Sequence, residues 1–203
     1  MIVYGASGHG KVIIEILESI YTPIIEVWDD VDKEAIWEYP VKKPLPAGVP
    51  VTDKMIISIG MNVTRKKVAD RLGDTIGFGK AVHAATCISN RVTIGEGTVI
   101  MAGATVNADS RIGRHCIVNT NASIDHDCVL DDFAHVSPNA TLSGDVHIGE
   151  GTHIGSGASV IQGIKIGKWC TIGAGTVIIR DIPDYVTAVG NPARIIKTNK
   201  PAL

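Results

Sequence analysis

Every sixth residue from Val82 to Ile178 is aliphatic, seventeen in succession: Val82, Ile88, Ile94, Ile100, Val106, Ile112, Val118, Ile124, Leu130, Val136, Leu142, Ile148, Ile154, Val160, Ile166, Ile172 and Ile178. A flat strand alternates every two residues and a helix every 3.6, so a period of six is neither. The residue four places after each aliphatic is small or β-branched, as at Thr98, Ala104, Ser110, Ala122, Ala134 and Ala140. The next residue after the aliphatic is often Gly, Asn or Asp, types that accept a left-handed turn, as at Gly95, Asn107, Gly113, Asn119 and Asp125. Each unit therefore reads as a short strand and a corner, and three units close a coil of about eighteen residues. Sixteen units from Val82 to Val177 make about five coils, and no loop interrupts them.

Composition agrees with such a narrow core. Glycine accounts for 22 of 203 residues and aromatics for only 4 %, so small and β-branched side chains must fill the interior. The coil resembles the hexapeptide-repeat left-handed parallel β-helix; its hand comes from that resemblance, because left-handed parallel crossovers are rare elsewhere. Cys116, Cys128 and Cys170 fall on the small inward position and read as core thiols, while Cys87 lies just before a corner and has no assigned role. The 19 Lys+Arg against 21 Asp+Glu give a net charge of −2, which offers no attraction for nucleic acid or anionic lipid. Charges such as Lys11, Glu15, Arg91 and Asp109 break every apolar run short of a membrane span. The opening MIVYGASGHGK has no basic n-region or long apolar stretch, so a soluble, cytoplasmic protein is expected.

The segment before the repeat reads as a small Rossmann-like βαβαβ unit over residues 1–80, with the β-helix and a C-terminal cap over 81–203. MIVYG is a strand, Gly5 to Gly10 a glycine turn, and Lys11 to Tyr21 a helix with Val12, Ile13, Ile16, Leu17 and Ile20 as its buried stripe. IIEVWDD is a second strand ending in Asp29 and Asp30. A loop with Pro40, Pro44, Pro46 and Pro50 leads to a strand over Met55 to Gly60 and a helix over Thr64 to Leu72. A glycine turn at a helix N-terminus can hold phosphate, and an acid at the end of strand two can hold a ribose or base. The spacing G-x-x-G-x-G differs from the dinucleotide fingerprint and the unit is half of a dinucleotide fold. A mononucleotide, the handle of an activated sugar, fits the size better; a turn that merely joins strand to helix stays open.

The register also sorts the histidines. His126 falls two positions after Ile124, on the outside, and His135, His147 and His153 each precede an aliphatic and also point outward. For His115, His147 and His153 a solvated or subunit-interface role suffices. His126 differs through its neighbours: Asp125 and Asp127 flank it, and Gly144 lies one coil above, leaving an open notch and a main-chain N–H beside the imidazole. A general base, its orienting carboxylate and an oxyanion donor would then stand together. A metal site needs converging histidines; the carbonic anhydrases built on this repeat use two histidines five apart, and no pair here has that spacing, so no metal is expected.

YGASGHGK, the Asp29-Asp30 pair, IGMNVTRKK (59–67), the run from Asn119 to Gly149 and the closing VGNPAR (189–194) together resemble the nucleotide-sugar acetyltransferases. Members N-acetylate UDP-4-amino-4,6-dideoxy sugars, as in the bacillosamine pathway; sialic acid O-acetyltransferases and GDP-perosamine N-acetyltransferases are relatives. The resemblance implies acetyl-CoA as co-substrate, His126 as general base and Asp127 as the acid that raises its basicity, where relatives often carry Glu. It places nucleotide-sugar contacts on Ser7, Gly8, His9, Asp29, Asp30, Gly60 and Leu72, with Asn119 near the amino sugar. Acetyl-CoA contacts fall on His135, Gly144, Ser156 and Ala174. It further implies a homotrimer with CoA in the groove between neighbouring β-helices, and outward residues such as Ile100, Met101, Ile161 and Ile179 are expected to leave apolar surface for that assembly. An O-acetyltransferase on a sialic acid, a GDP-sugar enzyme and a non-catalytic nucleotide-sugar-binding module are the alternatives.

Overall fold

The computed structural model describes residues 1–46, 49 and 51–199. Pro50 and residues 200–203 of the expected cap lie outside the described residues. The N-terminal unit is a parallel sheet whose central strand β1 (Ile2–Tyr4) pairs with β2 (Glu26–Trp28) on one side and β5 (Val51–Ile57) on the other. Helix α1 (Gly8–Ser19) follows β1, and α2 (Asn62–Leu72) follows β5.

Five details differ from the sequence reading. Helix α1 starts at Gly8, not Lys11, and ends at Ser19, not Tyr21; Ser7 is extended and Gly8 is already helical. Gly10 permits this, because a Cβ there would strike the Gly5 carbonyl, so only glycine lets the helix approach the turn. The proline-containing loop holds an antiparallel hairpin, β3 (Ala35–Ile36) with β4 (Tyr39–Lys42), and β4 joins β2. Strand β5 begins at Val51 and ends at Ile57, helix α2 begins at Asn62 rather than Thr64, and a further strand, β6 (Ile76–Phe78), closes the sheet beside β5.

The repeat forms a parallel β-helix of seventeen two-residue strands, from Ala81–Val82 to Val177–Ile178, each paired with the strand eighteen residues away, as Val99 with Ile117 and Ile117 with His135. They stack into three faces. The first face carries Val99–Ile100, Ile117–Val118, His135–Val136 and His153–Ile154; the second carries Thr105–Val106, Ser123–Ile124 and Thr141–Leu142; the third carries Arg111–Ile112, Val129–Leu130 and His147–Ile148. The aliphatic series from Ile100 onward and the small series from Ala104 onward fill the interior together, Cys116, Cys128 and Cys170 among them, and Cys87 is exposed. A final hairpin, Val186–Val189 with Arg194–Thr198, extends the first face.

Helix α1 lies on the lower part of the first face, where Ile13, Ile14, Ile16 and Leu17 pack with Ala81, Val99, Met101 and Ile117. Two expected surface residues are therefore not at the surface. Ile100 belongs to the inward series and is fully buried, and Met101 is covered by the N-terminal unit; Ile161 and Ile179 do stay exposed. Among the described residues no helix is long and apolar enough to cross a membrane.

Candidate active site

The corner between the second and third faces carries His126. Its Nδ1 lies 2.7 Å from the Asp127 carboxylate, and the Asp125 carboxylate accepts from the His126 main-chain N–H at 2.8 Å and from Asn107 Nδ2 at 2.8 Å. Asp127 sits at φ 61, a left-handed corner that turns its side chain back toward the ring. The Asp127 hydrogen bond, then the Asp125 charge, raise the His126 pKa above its ordinary value. Both side chains of the pair are open to solvent, at 60 % and 59 % exposure. The imidazole lies over Gly144, and the Gly144 N–H makes no hydrogen bond among the described residues.

A second group gathers over the first face, beneath the N-terminal unit. Ser7 and Gly8 are exposed at the start of α1, and His9 is half-buried beside them, its pKa pushed down to about 4 by burial and by the Arg65 charge. Asn119 Nδ2 is 3.2 Å from His135 Nε2, and His135 stacks on His153 with ring centroids 4.7 Å apart. His135 points outward from its strand as expected, yet it is buried, because the N-terminal unit lies on it. Burial, with the His153 and Arg65 charges, lowers its pKa to about 2, so it is neutral. His153 bonds Ser137 Oγ at 2.6 Å. His115, expected at the surface, is instead sandwiched between Phe78 and Phe133, with a ring centroid 4.5 Å from the first and 5.0 Å from the second. His147 pairs with Asp131 at 3.1 Å.

Asp29 and Asp30 are adjacent in sequence but differ in role. Asp29 is occupied: Oδ2 accepts from the Ala6 N–H at 2.8 Å and from Lys33 Nζ at 2.7 Å, and Oδ1 from the Val31 N–H at 2.8 Å. It locks the glycine turn. Asp30 faces a cavity of about 310 Å³ with Leu72, Leu45, Lys43 and Arg71, and pairs with Arg71 at 3.0 Å. Ser156 and Ala174 are exposed one coil apart, on the corner between the first and second faces. The acetyl-CoA contacts implied by resemblance are thus divided: Gly144 lies with His126, and His135, Ser156 and Ala174 lie on and beside the first face. Among the described residues no group of three or more His, Cys, Asp or Glu is placed to hold a metal.

Sequence reasoning missed Arg65. It is 1 % exposed, and its guanidinium donates to the main-chain carbonyls of His115 (2.8 Å), Ile59 (2.9 Å), Gly60 (3.1 Å) and Phe133 (2.9 Å) and to Asn62 Oδ1 (2.9 Å). It thereby ties the Gly60 turn to the β-helix. Beside Lys66 and Lys67 it reads as part of a solvated basic run; the one available signal is its i,i+3 spacing from Asn62 on the same helix face.

An outward imidazole paired with a carboxylate over a corner glycine, on a β-helix of hexapeptide coils capped by a Rossmann-like unit, defines an acyltransferase. Residues 1–72 match the PglD N-terminal domain, and 91–126 and 145–180 match the bacterial transferase hexapeptide (six repeats). A mutant of perosamine N-acetyltransferase from Caulobacter crescentus, in complex with CoA and GDP-perosamine, is 36 % identical with a TM-score of 0.91, over 97 % of this chain and 96 % of that one. The acetyltransferase domain of PglB from Neisseria gonorrhoeae with acetyl coenzyme A is 36 % identical, TM-score 0.88, over 96 % of this chain and 98 % of that one. WeeI from Acinetobacter baumannii is 29 % identical, TM-score 0.87, over 96 % and 98 %. No curated protein sequence matches in a direct sequence comparison. The chain belongs to the family of acetyl-CoA-dependent sugar N-acetyltransferases that join a PglD N-terminal domain to hexapeptide repeats.

Proposed function

We propose that this enzyme N-acetylates the amino group of a nucleotide-linked 4-amino-4,6-dideoxy sugar for bacterial glycan synthesis. The observation that carries the reading is the His126–Asp127 pair over Gly144, joined in one chain to a nucleotide-sized cleft at Asp30 and Leu72. The sugar ammonium gives one proton to solvent; as the neutral amine nitrogen forms a C–N bond with the thioester carbonyl carbon, it gives a second to His126 Nε2, directly or through water. The Gly144 N–H faces the oxyanion; the C–S bond breaks, and the proton on His126 passes to the leaving thiolate. Asp127, bonded at Nδ1, holds the tautomer that leaves Nε2 free to accept.

The nucleotide is uridine or guanosine diphosphate. The family's UDP-sugar members favour the first; the likeness to a GDP-perosamine complex favours the second equally. His126 stands on one corner of the prism, whereas His9, Gly60, Asn119 and His135 sit over the first face, so one complete site draws on two protomers. A homotrimer with the site between neighbouring β-helices satisfies this, and exposed Ile161 and Ile179 lie along the His126 corner where a neighbour would pack. Free-thiol release from acetyl-CoA, measured across UDP- and GDP-linked amino sugars and across sialic acid, tests the reading. Turnover with an amino sugar nucleotide is expected; turnover only with a hydroxyl acceptor would replace it with O-acetylation, and no turnover with any acceptor would reject it.

A further inference from the structure

Two pairs of side chains on the first face repeat one another at an interval of one coil. Asn119 meets His135 sixteen residues later, and one coil above, Ser137 meets His153 across the same interval. The strand register sets His153 directly over His135, with the rings 16° from parallel and their centroids 4.7 Å apart. The lower pair has a defined proton arrangement. The Thr120 N–H donates to Asn119 Oδ1 at 2.8 Å, so the amide presents Nδ2 to His135, and His135 Nε2 must accept. The ring proton therefore lies on Nδ1, which is buried on the side of the Gly60 main chain. His135 thus links Asn119 on the β-helix to the Gly60 turn of the N-terminal unit, and only one ring orientation does so. A half-turn of the ring would put a carbon where each nitrogen now stands.

The upper pair braces that orientation. Ser137 is 4 % exposed and its Oγ lies 2.6 Å from His153 Nε2, so the upper ring is pinned at its tip while it covers one face of the lower. We propose that His153, held by Ser137, is a positioning residue: it fixes the His135 ring so that Asn119 stays aimed at the acceptor sugar. The inference rests on the acetyl-transfer reading above, in which Asn119 lies near the amino sugar. One Nδ2–H of Asn119 goes to His135, and the other is left for an acceptor atom of the sugar. Neither Ser137 nor His153 is among the contacts implied by resemblance. A phenyl ring in place of the upper imidazole would keep the stack, whereas a methyl group would uncover His135 and let its ring turn.

Imidazole nitrogen NMR reads the His135 tautomer without substrate, and His135→Gln assigns its signals. His153→Ala is expected to replace the single Nδ1–H form by a mixture, whereas His153→Phe keeps it. In thiol-release assays with UDP- and GDP-linked amino sugars, His153→Ala should lower kcat/KM for the nucleotide sugar roughly fivefold, the scale of one ring-stacking contact, and His153→Phe should stay within about twofold of wild type. Ser137→Ala unpins the upper ring but leaves it in place, and should fall between them; it carries the same comparison if His153→Ala does not fold. A double-mutant cycle separates positioning from general loosening: in an Asn119→Ala background, His153→Ala should cost less than about twofold more. Unchanged His135 signals in His153→Ala, an unchanged kcat/KM, or an undiminished loss in the Asn119→Ala background would each overturn the proposal. So would His153→Phe as impaired as His153→Ala. If no acceptor turns over with the wild-type enzyme, the acetyl-transfer reading fails, and the NMR comparison still decides whether His153 orients the ring.

Discussion

The His126 imidazole lies so close beneath Gly144 that a Cβ on Gly144 would stand 2.6 Å from His126 Cε1 and 2.7 Å from Nε2. The glycine is required by its neighbour one coil below, since its own backbone is not in the left-handed region. Gly144→Ala should displace the ring from its bond to Asp127 and lower kcat/KM roughly 10²-fold, a fraction of what loss of a general base costs. Thermal melting should change little, because the displaced ring is free to swing into solvent. Unchanged kcat/KM would show that the ring position does not matter to turnover.

The raised His126 pKa sets the pH response. The base works in its neutral form, so kcat/KM should rise with pH through a limb above the ordinary imidazole value. His126→Ala should cost roughly 10² to 10⁴ and remove that limb. Asp127→Asn should cost less and move the limb to lower pH, because the amide orients the ring without stabilising its cation. The paired cation also favours folding: that contribution is complete below the ordinary imidazole pKa and fades as pH rises through the raised one. Rate profiles of the three proteins check this directly.

Asp29 and Asp30 should separate under mutation. Asp30→Ala removes a carboxylate facing the cavity and should raise the KM for the nucleotide sugar well above any change for acetyl-CoA. Asp29→Ala strips the acceptor from the Ala6 and Val31 N–H groups and from Lys33, so it should lower the melting temperature as well as raise that KM. Equal shifts in both substrates' KM values for Asp30→Ala would contradict its assignment.

Arg65→Met should be among the most destabilising single changes in the chain. It removes the donor shared by four main-chain carbonyls and Asn62, at a cost of roughly 3 kcal/mol or more in urea unfolding. Arg65→Lys keeps the charge but reaches fewer of those acceptors and should fall between. A loss under about 1 kcal/mol would mean that water replaces the guanidinium without penalty.

The proposed sharing of the site between protomers of a trimer predicts complementation. His126→Ala and a first-face variant such as Asn119→Ala, each impaired alone, should regain activity when mixed trimers form from co-expressed chains, because some sites then combine two intact halves. Activity no greater than the mean of the two parents would place the whole site within one chain.

The β-helix is legible because its signal is arithmetic: a six-residue period fixes the three faces, and adding eighteen brings His126 to Gly144. The burial of Cys116, Cys128 and Cys170 followed from the same count. Failures came where one part of the chain covers another. Met101, His115 and His135 point outward from the prism, and the docked N-terminal unit covers them, with Phe133 of the prism stacked on the other side of His115. Ile100 is a member of the inward aliphatic series, so its own register, not a covering unit, accounts for its burial. Strand β6 and the β3–β4 hairpin are too short to announce themselves, and Arg65 is concealed among lysines.

The fixed rise of one coil turns the prism into a ruler with a single graduation. An insertion of one residue between His126 and Gly144 would rotate every later aliphatic out of the interior, and even six residues would carry Gly144 to another corner. Only a block of eighteen leaves corner, face and interior aligned. If length changes along this edge, it does so in steps of one coil, about 4.8 Å, so the distance from the imidazole to any group farther up the same corner is quantised by the fold and cannot be tuned by small insertions or deletions.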